Sequence, residues 1–168
     1  MDAQEPREAE EQARRLVDEY SDLILRLSYT YLKSTYDAED ICQNVLFKLM
    51  KTEKPFENPE HEKAWIIRTT ANACKDLLRR SHRRATVALD AASSACAPEP
   101  PDSAVLDAVM ALPSKYREAI YLYYFEGYTV REIATMTDRS EDAVNAHLSR
   151  GRKKLRATMK GELCGQGI

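Results

Sequence analysis

A chain of 168 residues holds one ordinary domain or two small ones, and with 43% hydrophobic residues, 31% charged residues and only five glycines its composition is that of a folded, helix-favouring protein. No apolar run approaches the roughly 20 residues needed to span a bilayer, and the polar, acidic start at Met1-Asp2-Ala3-Gln4-Glu5 is not a secretory signal, so a cytoplasmic protein without membrane insertion is expected. The formal net charge of −2 would by itself speak against nucleic acid. The charge is segregated, however: acidic residues crowd the first 22 positions, while residues 75–84 and 150–160 are strongly basic, which suits a protein with two kinds of partner.

The first predicted unit spans residues 11–84. Leu16, Tyr20, Leu23, Ile24, Leu27 and Tyr31 recur at three- and four-residue steps, the apolar stripe of an amphipathic helix. A break at Ser34-Thr35-Tyr36 precedes a second helix starting at Asp37, an N-cap by residue type, with Ile41, Val45, Leu46 and Leu49 as its apolar face. Pro55 and Pro59 lie too close together for a helix interior. A third helix follows, with Ala64, Trp65, Ile67, Ala71, Cys74 and Leu78 able to face a core.

Over residues 85–104 the periodicity vanishes into Ala, Ser and Pro, ending in Pro98-Glu99-Pro100-Pro101, the composition of a linker. The second unit, residues 105–162, starts with Leu106, Val109 and Leu112. Pro113 opens a helix at a first-turn position, carrying Tyr116, Ala119, Ile120 and Tyr123, and Gly127 ends it as a left-handed cap. No strand-like alternation competes, so the fold class is all-α: two small helical domains joined by a flexible linker.

Residues 129–155 carry the clearest signal. Thr129 and Glu132 form a capping box, and Ala134 is small enough for a second helix to cross closely. Thr137-Asp138-Arg139 makes a tight turn. Ser140 caps the next helix, with Glu141 and Asp142 at its dipole-favoured start and Val144 and Leu148 facing inward. A short helix, a tight turn and a second helix form a helix-turn-helix, whose second helix fits the major groove of DNA. Its outward residues, Asn145, Ala146, His147, Ser149 and Arg150, include side chains able to pair with adenine and guanine edges. Arg152, Lys153, Lys154 and Arg156 offer phosphate contacts.

Cys42, Cys74, Cys96 and Cys164 contain no Cys-x-x-Cys pair, and His61, His82 and His147 lie near none of them. No metal or other cofactor is expected, and Cys42 and Cys74 read as reduced core thiols. A glycine-rich phosphate loop, paired histidines and a nucleophile elbow are all missing, so enzymatic activity is not expected.

Four motifs in order resemble bacterial sigma factors, in particular the extracytoplasmic-function group. Ala38-Glu39-Asp40-Ile41-Cys42-Gln43-Asn44-Val45-Leu46-Phe47-Lys48-Leu49 is similar to the family's polymerase-binding helix. Ala64-Trp65-Ile66, Arg68, Ala71-Asn72 and Asp76-Leu77-Leu78-Arg79-Arg80 resemble the helix after it. Leu112-Pro113, Tyr116-Arg117-Glu118 and Glu126-Gly127 resemble the start of its C-terminal domain, and Glu132-Ile133-Ala134 with Leu148-Ser149-Arg150-Gly151-Arg152-Lys153-Lys154-Leu155 its helix-turn-helix.

The resemblance implies the following roles. Glu39, Asp40, Gln43, Asn44 and Lys48 would dock on core RNA polymerase, at the β′ clamp coiled coil; by the residues alone they are equally an ordinary hydrated helix face. Asn72, Lys75, Asp76, Arg79 and Arg80 would read and open the minus-ten promoter element, with Arg83 and Arg84 on phosphate. The loop at Phe56, Glu57 and Asn58 would capture an unpaired base, or Phe56 simply packs inward; Trp65 is a core residue first. The minus-thirty-five element would be read by Ser140, Asn145, Ala146, His147, Ser149, Arg150, Arg152 and Lys153. Implied partners are core RNA polymerase (β′ clamp coiled coil and β flap), promoter DNA and an anti-sigma factor.

Two departures stand out. Asp138-Arg139 replaces the family's usual Gly-apolar turn, which loses an apolar contact at Arg139, and Asn145 and His147 stand where Lys or Arg is frequent. The competing expectation is a helix-turn-helix regulator that binds DNA without polymerase, which leaves the first unit unexplained.

Overall fold

In the computed structural model, residues 5–53, 55–85 and 103–165 are described; the expected linker, Cys96 and the first four residues lie outside them, except for the linker's ends. The described residues form seven helices and no strand: α1 (Glu5–Leu32), α2 (Thr35–Met50), α3 (Pro59–Ala85), α4 (Ser103–Met110), α5 (Ser114–Ile120), α6 (Val130–Thr137) and α7 (Glu141–Gly165). The chain divides into two units, Met1–Ser93 and Ser94–Ile168.

In the first unit α1 packs against both α2 and α3. The α1 stripe is buried as its spacing predicts: Leu16, Tyr20, Leu23, Ile24, Leu27 and Tyr31 meet Ile41, Val45 and Leu49 of α2 and Ile66, Ile67, Ala71 and Cys74 of α3 in one core. Buried Thr30 and Thr70 satisfy their hydroxyls on the carbonyls of Arg26 (2.8 Å) and Ile66 (2.7 Å), one turn back. Burial pushes the Cys42 thiol up, which keeps it a protonated core group.

The start of α2 and two core assignments differ from expectation. Ser34, not Asp37, caps α2: its hydroxyl accepts from the Asp37 amide, so Asp37 sits inside the first turn, where the helix dipole favours its charge. Lys33, at φ +54°, reverses the chain after α1, so two residues suffice to connect α1 to α2. Leu78, expected to face a core, is exposed near the end of α3, and Trp65 is half-buried rather than central.

The second unit is built around α7, which packs against α4, α5 and α6. Val109, Leu112, Tyr116, Ile120, Leu122, Ile133, Val144 and Leu148 are buried there, whereas Leu106 is exposed. Pro113 is the N-cap of α5 rather than its first helical residue. After Ile120 the helix widens into a π-helical turn, Tyr121–Phe125, and Gly127 at φ +74° ends it, with the Tyr128 amide donating to the Leu122 carbonyl at 3.0 Å. Gly151 is buried where α7 crosses α5: a Cβ there would lie 3.1 Å from the Ile120 side chain, which would have to give by a few tenths of an ångström to admit one.

Candidate functional site

The outer face of α2 follows from its inner one. With Ala38, Ile41, Cys42, Val45 and Leu49 buried, the helix turns Glu39, Asp40, Gln43, Asn44 and Lys48 to solvent. All five expected docking residues therefore share one exposed surface. Sequence reasoning missed the apolar side chains on it: Tyr36 is 81% exposed and Phe47 54%, with Met50 exposed beyond them. Positions 36, 40, 43, 47 and 50 recur at helical steps, a spacing that identifies a second stripe besides the core stripe. The Lys51 ammonium lies 4.2 Å from the Phe47 ring centroid and holds that ring against the helix.

Along α3, Asn72, Asp76, Arg79, Arg80, Arg83 and Arg84 are exposed, and Lys75 is half-buried with its ammonium 5.9 Å from the Tyr31 ring. Asp76 and Arg79 lie one helical turn apart, at 3.4 Å. The basic end of α3 suits the helix dipole and gives this face a positive surface.

Phe56, ahead of α3, is half-buried: its ring stands edge-on to His61 (5.4 Å between centroids) and tilted against Trp65 (5.8 Å). Asn58 has a structural task, since its side-chain oxygen accepts from the His61 amide at 2.8 Å at the start of α3. A cavity of about 510 Å³ lies between this loop and α1, lined by Arg15, Glu19, Tyr20, Phe56, Asn58 and Glu62 among others. The Tyr20 hydroxyl donates to Glu62 at 2.6 Å, and Arg15 pairs with Glu19 at 2.9 Å and approaches Glu62 at 3.5 Å. Burial, then the Glu62 carboxylate, pushes the Tyr20 hydroxyl well above its ordinary value, so it stays a donor.

The helix-turn-helix is closed by the elements its sequence specifies. The Thr129 side chain accepts from the Glu132 amide, and the Glu132 carboxylate accepts from the Thr129 amide at 2.8 Å and from the Thr129 hydroxyl at 2.9 Å; the two bonds to the carboxylate hold it below the usual range. Asp138 takes the left-handed turn at φ +54°. Ser140 caps α7, its hydroxyl accepting from the Ala143 amide at 3.1 Å.

On α7, Asn145, Ser149, Arg150 and Lys153 are exposed and Ala146 is half-buried. Arg152, expected on phosphate, instead lies against the π-helical turn. Its Nε donates to the Tyr124 hydroxyl at 2.7 Å, and its guanidinium sits 5.6 and 5.5 Å from the Tyr123 and Tyr124 ring centroids.

His147 departs furthest from expectation. It is half-buried, edge-on to Tyr116 at 5.6 Å, and its Nδ1 is 2.9 Å from Arg139. Arg139 also reaches Glu118 of α5, 3.4 Å away and 1% exposed, so an ion pair occupies the turn position at which the loss of an apolar contact was expected. Burial first, then the cations of Arg139 and Lys115, lowers the His147 pKa and keeps the ring neutral. The neighbouring Arg117 is buried too, and donates to the Met110 carbonyl at the end of α4 at 3.0 Å.

A three-helix unit with polar and basic faces, followed by a helix-turn-helix unit, defines the class: a DNA-binding transcription protein with a second partner surface. Residues 16–84 match sigma-70 region 2, and residues 102–155 match sigma-70 region 4. The chain is 30% identical over 135 residues to the RNA polymerase sigma factor CarQ of Myxococcus xanthus, covering 75% of this chain and 76% of CarQ. It is 27% identical over 140 residues to the sigma factor SigV of Bacillus subtilis, covering 82% and 84%. Two other relatives are longer proteins, of which the chain spans 40% and 59%.

Among solved structures, the sigma factor RpoE of Bartonella quintana, crystallised with the anti-sigma factor NepR, shares the fold with a TM-score of 0.76. Its sequence identity is 20%, over 88% of this chain and 96% of that one.

The chain belongs to the extracytoplasmic-function group of RNA polymerase sigma factors, proteins that direct the polymerase to promoters. A stand-alone DNA-binding regulator is not favoured, because the region 2 match accounts for the first unit. No described helix is long and apolar enough to cross a membrane.

Proposed function

We propose that the exposed face of α2, Glu39, Asp40, Gln43, Asn44 and Lys48 flanked by Tyr36 and Phe47, is the surface by which this sigma factor holds the β′ clamp coiled coil of core RNA polymerase. The observation that carries this is the pairing of exposed aromatic anchors with a polar ring on one helix face, the composition of an interface with a central apolar contact. Residues 11–84 form the polymerase-docking and minus-ten domain, residues 85–104 the linker, and residues 105–162 the minus-thirty-five domain, which also meets the β flap.

The α3 face of Asn72, Lys75, Asp76, Arg79, Arg80 and Arg83 meets the minus-ten element. Flipping a base out costs a few kcal/mol, and the cavity beside Phe56 and Asn58 supplies polar groups and an aromatic wall to hold it. In the second unit Asn145, Ser149 and Arg150 read base edges, Ala146 leaves room for them, and Lys153 neutralises phosphate; Ser140 and Arg152 hold α7 in place and lie beside the DNA. The protein is cytoplasmic and catalyses nothing itself; bond formation belongs to the polymerase. The Bartonella quintana sigma factor that shares this fold was crystallised with an anti-sigma factor, which supports an anti-sigma partner here as well.

The test is in vitro transcription of a genomic fragment library by core polymerase with and without this chain. A discrete set of new start sites sharing two elements is the expected result. Transcription unchanged by the chain would refute the proposal.

A further inference from the structure

Three groups from three elements meet behind the outer face of α7: Glu118 on α5, Arg139 in the turn between α6 and α7, and His147 on α7 itself. A guanidinium carries only donors. At 2.9 Å from Arg139 Nη1, His147 Nδ1 must therefore be the acceptor, and a neutral ring that accepts at Nδ1 carries its proton on Nε2. Tyr116 fixes the ring from the side. Among the described residues Nε2 has no hydrogen-bond partner, and on this half-buried ring it is not one of the sealed, unpartnered polar atoms, so its N–H can reach an outside acceptor.

The surroundings maintain that state. Around the ring, burial, Arg139, Lys115 and Arg150 oppose a second proton, and only Glu118 favours one. Glu118 in turn anchors Arg139 from inside the core, where it is itself 1% exposed, so the guanidinium is braced at both ends.

We propose that Arg139 locks His147 as the Nε2–H tautomer, making His147 a dedicated neutral hydrogen-bond donor to an acceptor on the promoter duplex, a purine N7 or a phosphate oxygen. A free histidine exchanges between two tautomers and presents a donor at Nε2 only part of the time. Held by Arg139, it presents a donor always, at one place and without a charge. His147 is thus a specificity-determining residue and Arg139 its positioning residue. The inference rests on the reading of α7 as the DNA-reading helix.

The test has a spectroscopic arm and a binding arm. In the full chain with ¹⁵N-labelled histidine at neutral pH, His147 should show a pyridine-type Nδ1 and a pyrrole-type Nε2, and Arg139→Met should give averaged nitrogen signals. An Nδ1–H tautomer or an imidazolium in the wild type overturns the proposal. With holoenzyme on a promoter it recognises, single 7-deazapurine or methylphosphonate substitutions should weaken wild-type binding by about threefold to tenfold at one position. His147→Ala should lose that sensitivity. Loss at a deazapurine assigns the acceptor to the base, and loss at a methylphosphonate assigns it to the backbone.

If His147→Ala keeps the full wild-type sensitivity at every position while Asn145→Ala or Arg150→Ala changes promoter preference, this inference alone fails. If none of the three changes it, the reading of α7 fails with it. Should Arg139→Met not fold, the wild-type spectrum and His147→Ala still decide the matter.

Discussion

The two units bury different kinds of side chain. In the first, Leu16, Ile24, Leu27, Val45, Ile66 and Ile67 make an apolar core, and buried Thr30 and Thr70 settle their hydroxyls within their own helices. In the second, Arg117 and Glu118 lie side by side in the core, and each reaches a different element: Arg117 the end of α4, Glu118 the helix-turn-helix turn. The first unit separates what holds it together from what it shows to partners. In the second the reading helix is braced by buried charge, so its stability and its recognition are linked.

That contrast predicts a difference in how the units fail. Glu118→Ala removes the buried member of the ion pair and leaves Arg139, 25% exposed and still on His147, without its core anchor, which costs about 3 kcal/mol, the low end for a broken buried pair. Hydrogen exchange should show the loss across α5 to α7, with α1 to α3 unchanged. Leu27→Ala, at a fully buried apolar site, should cost about 2–5 kcal/mol in the first unit through the cavity it leaves, without touching α7. If either variant loosened the other unit equally, the separation drawn above would be wrong.

Acid sharpens the comparison further. His147 has a folded pKa below the ordinary histidine value of about 6.5. The unfolded chain therefore takes up a proton first, and the stability present above that value declines as pH falls through the folded one. Glu132, also depressed, adds a further loss at lower pH, as the capping-box carboxylate is protonated. Unfolding followed by exchange in α6 and α7 between pH 7 and 5 should show this decline, and His147→Gln should flatten its upper part.

Much of the fold was legible because apolar periodicity, caps and turn residues act locally. The α1 stripe, the Thr129–Glu132 capping box and the left-handed Asp138 all follow from neighbours within a few residues. The Ser34 cap was misplaced by three residues because Ser34 and Asp37 are both good caps by type, and the Lys33 reversal that decides between them is a backbone property.

The site was legible as faces and less so as contacts. Spacing alone puts Asp40 and Gln43 outside and Ile41 inside. The seating of the His147 ring depends on Arg139, eight residues away, and on Glu118, 21 residues before Arg139; no local pattern links them. Two positions that looked like separate departures from the sigma-factor pattern, Arg139 and His147, contact each other. Arg152 was assigned to phosphate on charge, whereas its place is set by the two tyrosines that the π-helical turn swings beneath it.

The central claim is that the polar side of α2 is a partner surface. Its most direct test is competition for core polymerase between the wild type and an Asp40→Lys, Gln43→Lys double variant, with helical content and melting compared in parallel. Both positions are exposed, so the fold should be intact while core affinity falls by at least about tenfold. Equal competition by a correctly folded double variant would contradict the account.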